Sequence, residues 1–218
     1  MASAAEREMR DDVAEWWRQR TPDARICHEV PLSSMSSDGR ADLAVVAPDR
    51  LVLIELKSSR DKLSRLAPQM EAMRLRACRT VAVVDQKHFG EDKWGSPSLK
   101  NYDGPYFGHR LWQWPRPEDP PRYERTWTLD PRSAPSPPNV GIALHMLWAE
   151  ELRRLGQYHG FGFTTRANRP EMIAALADGL TGAEARRGIC AALRTRVFSE
   201  ADPAREWAPG PSRWRNAA

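Results

Sequence analysis

The sequence predicts an α/β protein, an αβββαβ core on a mixed sheet followed by a C-terminal helical region. Three observations carry this. Two β-branched-rich apolar runs, residues 41–46 and 51–56, flank the turn signal Ala47-Pro-Asp-Arg50. An amphipathic pattern precedes them near residues 3–20, and a further apolar run, residues 80–85, follows a helical segment. From residue 140 onward the leucine spacing becomes helical.

The first helix is predicted from Met9, Val13, Trp16 and Trp17, which recur at i, i+4, i+7 and i+8. Glu6 projects in the same direction as Val13 and Trp17 at 100° per residue, so it either needs a partner or sits exposed one turn before the core begins. Residues 25–32 read as a first strand, with Glu29 facing either the sheet's open end or water, and a Ser/Gly-rich loop runs on to Gly39. The hairpin comes next. A register symmetric about the Pro48–Asp49 bond pairs Val46 with Leu51, Val45 with Val52 and Asp42 with Glu55. Opposed residues share a sheet face with Cβ atoms roughly 4.5–5.5 Å apart. Lys57 lies two residues beyond Glu55 and so shares that face. Pro68 disfavours a continuous helix from Asp61, so the helix restarts there and turns Met70, Met73 and Ala77 to the sheet. A right-handed β–α–β crossover then lays residues 80–85 parallel to residues 51–56.

Two carboxylates and an ammonium thus converge at one end of an otherwise apolar hairpin. Anions so close need a proton or a cation between them, and a hard divalent ion with oxygen ligands, Mg²⁺ or Mn²⁺, fits. The bland account is that a Glu-x-Lys triplet arises by chance roughly once in a few hundred residues, and that strands end in charges where they reach solvent. The setting favours function, because both strands are apolar on both faces, as central strands covered by helices are.

Asp42, the spacing to Glu55-Leu-Lys57 and the following Ser58-Ser-Arg-Asp-Lys-Leu-Ser-Arg-Leu-Ala-Pro-Gln69 resemble the PD-(D/E)xK nuclease superfamily, over roughly residues 6–85. The superfamily's Pro-Asp dipeptide is Ala41-Asp42 here. The resemblance implies a restriction-endonuclease-like core and a metal-dependent nuclease hydrolysing DNA, with RNA not excluded. It implies an endonuclease of repair, recombination or phage DNA metabolism. Asp42, Glu55 and the Leu56 carbonyl would hold Mg²⁺ or Mn²⁺, and Lys57 would orient or deprotonate water. It also implies a catalytic place for Gln69 on the following helix and for Glu6 on the first. Arg40, beside Asp42, suits either a phosphate or a neighbouring carboxylate. The alternative is a nucleic-acid-binding module or assembly component that keeps the fold without turnover.

Residues 86–139 are rich in Pro, Gly, Trp and Tyr, with extra strands suggested at 111–114 and 123–129. Trp94, Tyr102, Tyr106, Phe107, Trp112 and Trp114 interleave with Lys93, Lys100, Arg110 and Arg116, a mixture that stacks on unpaired bases. Packing of the insertion onto the core accounts for the same aromatics. The expected organisation is a core through residue 130, a linker over 131–139, helices over 140–200 and an irregular, partly mobile tail over 201–218. Leu144, Leu147, Trp148, Leu152 and Leu155 form one stripe. The run from Trp148 through the Gly160 turn to Leu176 resembles a SAP-like helix–turn–helix, and Arg166 and Arg169 flank a helix start that favours phosphate. A small helical bundle that covers an apolar face of the sheet accounts for the same leucine stripe.

The net charge of +4 and pI near 9.2 favour a polyanion without demanding one. Cys27, Cys78 and Cys190 are widely spaced and form no disulfide framework, which suits a reducing cytoplasm. The five histidines lack zinc-ligand spacing, and no apolar run of membrane-spanning length occurs, so no membrane partner is expected. A homodimer is compatible with the pattern.

Overall fold

The computed structural model describes residues 4–34, 39–91, 97–100, 102, 104, 110–118, 127 and 138–212. Helix α1 (Ala4–Arg20) leads into strands β1 (Arg25–Pro31), β2 (Arg40–Val46) and β3 (Leu51–Lys57). Helix α2 (Leu66–Arg74), entered through a 3-10 turn, precedes β4 (Arg79–Asp85). Strands β5 (Phe89–Glu91) and β6 (Pro97–Leu99) form a small antiparallel pair, and β7 (Leu111–Trp114) follows. Helices α3 (Val140–Leu144), α4 (Ala149–Tyr158), α5 (Arg169–Gly179) and α6 (Gly182–Thr195) complete the order.

The main sheet runs β1-β2-β3-β4-β7. The first three strands are antiparallel and the last three parallel, so the α/β class and the mixed sheet are as the sequence predicts. The hairpin has the predicted register, Val46 opposite Leu51 and Val45 opposite Val52, and the ladder extends to Leu43 opposite Ile54. It stops where Asp42 and Glu55 would pair. There the Leu56 amide donates to Asp42 Oδ2 at 2.7 Å, so a carboxylate takes the place of a backbone carbonyl. Pro68 sits in the first turn of α2, where its missing N–H costs nothing. Met70, Met73 and Ala77 are buried.

The strand period of two sorts the core into two layers. On one face Leu43, Val45, Val52, Ile54 and Leu56 pack with Met9, Val13 and Trp17 of α1. Trp112, Trp114 and Trp127 join this layer, and Trp112 stacks between Trp17 and Trp127 at centroid distances of 6.0 and 5.3 Å. Trp112 and Trp114 are therefore buried core residues, and the base-stacking alternative does not hold for them. On the other face Leu51, Leu53 and Ala82 pack with Leu66, Met70 and Met73 of α2 and, in the same continuous cluster, with Leu144, Leu155, Leu176 and Leu193 of the C-terminal helices. These helices share a core with the sheet.

Two expectations change. Trp148 leaves the predicted stripe and is 43 % exposed, because the chain breaks between α3 and α4 and Trp148 becomes the N-cap residue of α4. Its amide donates to Glu151 Oε2, and the Arg196 guanidinium lies 4.5 Å from its ring centre. The described part of the tail is irregular but pinned: Tyr158 donates to the Gly210 carbonyl, His159 Nδ1 meets Ser212 Oγ at 2.8 Å, and Arg187 donates to the Pro211 carbonyl. The first residues of the tail close the outer edge of β1. Ala201 bridges Cys27, and Asp202 donates through its amide to the Ile26 carbonyl while its carboxylate accepts from the Ile26 amide. Most of the predicted linker, and the suggested strand at 123–129 apart from Trp127, lie outside the described residues.

Candidate active site

The C-terminal ends of parallel β3 and β4, with the connections that leave them, form the site. Open α/β sheets bind ligands at such strand ends, where the following loops can be shaped freely. Leu51 and Leu53 belong to the layer that holds α2, so by alternation Glu55 and Lys57 face α2 as well. Lys57 Nζ donates to Glu55 Oε1 at 2.5 Å and to Gln69 Oε1 of α2 at 2.9 Å. Glu55 and Lys57 are only 2 % and 5 % exposed. Glu55 Oε2 is buried with no hydrogen-bond partner among the described residues.

Burial pushes the Asp42 carboxyl up to about 7 and the negative charge of Glu55 adds to the rise, while the Leu56 amide and Lys57 act against it. Glu55 is also raised, by burial first, with Lys57 and Gln69 opposing. The strand end thus holds two carboxylates reluctant to be charged together and one buried ammonium. The donor set suits a hard cation. Among the described residues no group of three or more His, Cys, Asp or Glu side chains gathers as a ready metal centre. Mg²⁺, however, is commonly bound through one or two carboxylates with water and substrate oxygens filling the rest. The unpartnered Glu55 oxygen and the neighbouring Asp42 carboxylate are oxygen donors of the kind that such an ion takes.

The structure brings Asp42, Glu55, Lys57 and Gln69 together. At Leu56 the observed contact is the amide on Asp42. Glu6 lies on α1, which packs against the opposite sheet face, and it pairs with Arg10 at 3.7 Å. Arg10 in turn reaches Glu200 at 3.3 Å. Arg40 meets a carboxylate, Glu29 Oε2, at 3.2 Å. Arg169 donates to the carbonyls of His145 and Leu147, tying α5 to the α3–α4 break, while Arg166 is exposed before α5.

Three further residues neighbour the site: Asp61 and His88, which carry no clear sequence signal, and Glu29, which the sequence left facing either the site or water. Asp61 folds back on Ser58, accepting from its amide at 2.8 Å and its hydroxyl at 2.6 Å. His88, from the far connection, places Nε2 2.9 Å from the Ser58 carbonyl. Glu29 has a positive φ of 52° in mid-strand, where the β1–β2 ladder skips from His28–Leu43 to Val30–Ala41, and its charge bears on Asp42. The Ser58-x-x-Asp61 spacing is the one legible hint, as a local side-chain turn.

Residues 1–91, less than half the chain, match the family described as bacteriophage P4 protein cII. The matched part runs from α1 through β5 and holds Asp42, Glu55, Lys57 and Gln69. No curated protein and no solved structure matches the chain. Among the described residues no helix is long and apolar enough to cross a membrane.

Proposed function

We propose that the protein is a metal-dependent deoxyribonuclease, an endonuclease of phage or bacterial DNA metabolism on a restriction-endonuclease-like core. The observation that carries this is the strand-end group itself. Glu55 is buried with one oxygen unpartnered, burial raises the neighbouring Asp42 carboxyl to about 7, and Lys57 is clamped between Glu55 and Gln69. Asp42 and Glu55 would hold Mg²⁺ or Mn²⁺. When bound, such an ion supplies Lewis-acid polarisation of a phosphodiester and makes water more acidic. Gln69 fixes the Lys57 ammonium, which offsets charge developing on phosphate oxygens and orients the attacking water. A cation held there would favour the ionised form of the raised Asp42 carboxyl, so binding would be coupled to release of its proton. The match of the site-bearing segment to a phage protein family agrees with a phage setting.

A second reading has its own observation. Glu55 and Lys57 already neutralise each other at 2.5 Å, as a purely structural ion pair does, which suits a binding module without turnover. Incubation with plasmid, linear duplex and single-stranded DNA in Mg²⁺, Mn²⁺ or EDTA separates the two. The nuclease reading expects cation-dependent nicking that Glu55→Ala abolishes. Intact DNA in every cation, with no Mg²⁺ heat in calorimetry, sinks it.

A further inference from the structure

We infer that the two connections leaving the C-terminal ends of β3 and β4 form a cationic collar, Arg60, Lys62, Arg65 and Lys87, that grips a nucleic-acid backbone at the strand-end site. The proposal deepens the nuclease reading and rests on it for the partner's identity. Both connections are held at the site by their own bonds. The first leaves Lys57 and returns to Gln69, and the Lys57–Gln69 bond at 2.9 Å ties its two ends together. The second follows Asp85, and His88 fastens it to the Ser58 carbonyl at 2.9 Å.

The acids in these connections point to internal donors. Asp61 accepts twice from Ser58, and Asp85 accepts from the Lys87 amide at 2.8 Å. The cations are left over. Arg60, Lys62, Arg65 and Lys87 are all exposed, and among the described residues none has an ion pair or a side-chain hydrogen bond. Many other arginines are spent on partners: Arg10, Arg18, Arg74 and Arg196 pair with carboxylates, and Arg25, Arg76 and Arg169 donate to carbonyls. Arg7, Arg50, Arg116 and Arg166 are also exposed without such partners among the described residues, but none of them lies on the two connections that leave the strand-end site. Four like charges left unpaired around one site raise the local potential for an anion.

The partner follows from chemistry. Each DNA strand presents a charge about every 3.4 Å of helix axis, so a strand meets several of the four at once, as a lone phosphate does not. A lipid surface would also want apolar side chains to insert. The large hydrophobic side chains exposed among the described residues are Trp148 and Val197, neither of them in these connections.

The test is fluorescence anisotropy with a labelled duplex of about 20 base pairs in EDTA, which reads binding without cleavage. The variant R60A/K62A/R65A/K87A is expected to bind at least tenfold more weakly at moderate salt. Its log–log salt slope should be shallower by roughly 0.9 for each phosphate that the variant no longer neutralises. Arg50→Ala, an exposed cation at the opposite end of the hairpin, should stay within twofold. The charge-keeping R60K/R65K should retain affinity, which separates charge from any disturbance of the fold. Unchanged binding in the quadruple variant, an equal loss in Arg50→Ala, or equally tight collar-dependent binding to phosphatidylserine vesicles would each overturn the proposal. Collar-dependent DNA binding by a protein that cuts nothing in Mg²⁺ would remove the nuclease reading and leave the collar standing.

Discussion

Lys57 separates a catalytic from a structural site at the scale of single residues. Its ammonium is held by Glu55 and Gln69, and removing one partner of a buried ion pair typically costs about 3–5 kcal/mol. Lys57→Ala is therefore expected to lower stability by that order in EDTA. It should regain much of it when Mg²⁺ saturates the site, and show almost no turnover. Thermal melts with and without Mg²⁺ check this; a variant that Mg²⁺ does not stabilise argues for a structural pair. Asp42 gives a prediction in pH. Its carboxyl rises from 3.8 to about 7, so between those values the folded protein keeps a proton that the unfolded chain releases. Stability from this group is full below about 4 and falls as pH rises through 7. Asp42→Asn keeps an oxygen for the Leu56 amide and removes the charge. It should gain on the order of 1–2 kcal/mol over wild type at pH 8 in EDTA, from a shift worth about 1.4 kcal/mol per tenfold in proton affinity. No gain at pH 8, or an equal gain at pH 4, contradicts the assignment. Asp42, Glu55 and Lys57 were legible because a period of two and a short turn fix which residues meet. Asp61 and His88 were not, since a loop's return to the site depends on tertiary bonds that leave no local pattern.

Among the elements, legibility tracked how local the determinant is. The hairpin register follows from turn length and alternation, and the helix restart at Pro68 from one missing N–H. The break between α3 and α4 does not. Apolar spacing runs through it unbroken, and what ends α3 is distant: Arg196 donates to the Met146 carbonyl and to Glu151, and Arg169 to the His145 and Leu147 carbonyls. The closing of β1 is similar. Nothing local marks Glu200-Ala-Asp202 as a strand partner, yet Asp202 accepts from the Ile26 amide at 2.9 Å and from Arg18 Nη2 at 2.9 Å. Asp202→Ala should leave the Ile26 amide without its acceptor and free the edge. The expected loss is roughly 1–3 kcal/mol in a denaturant melt, with faster hydrogen exchange confined to β1. Uniform exchange across the sheet would show that the tail does not protect this edge.

For the whole molecule, the question is whether the site-bearing half stands alone. The sequence suggests a core complete by residue 130 and a tethered helical region, since the four strand-end residues all precede residue 70. The packing says otherwise, because Leu51, Leu53 and Ala82 share one buried cluster with Leu144, Leu147, Leu152, Leu155, Leu176 and Leu193. A period-two strand reveals that it has two apolar faces but not which distant segment covers each, so the sequence left open whether these helices cover the sheet or bind nucleic acid. Fully burying one such side chain stabilises by about 1.5–3 kcal/mol. Losing six of them removes on the order of 10 kcal/mol, comparable to the whole stability of a domain. A chain ending near residue 130 should consequently lack a cooperative melt, bind a hydrophobic dye and aggregate. Circular dichroism and size-exclusion chromatography would show this directly. If that fragment were soluble, melted cooperatively and bound Mg²⁺, the helices would be an accessory and the sheet's second face would need another cover. If it failed as expected, loss of DNA binding on truncation would say nothing about phosphate contacts from Arg166. That side chain has then to be tested by Arg166→Ala in the full chain, where its exposed position leaves the shared core untouched.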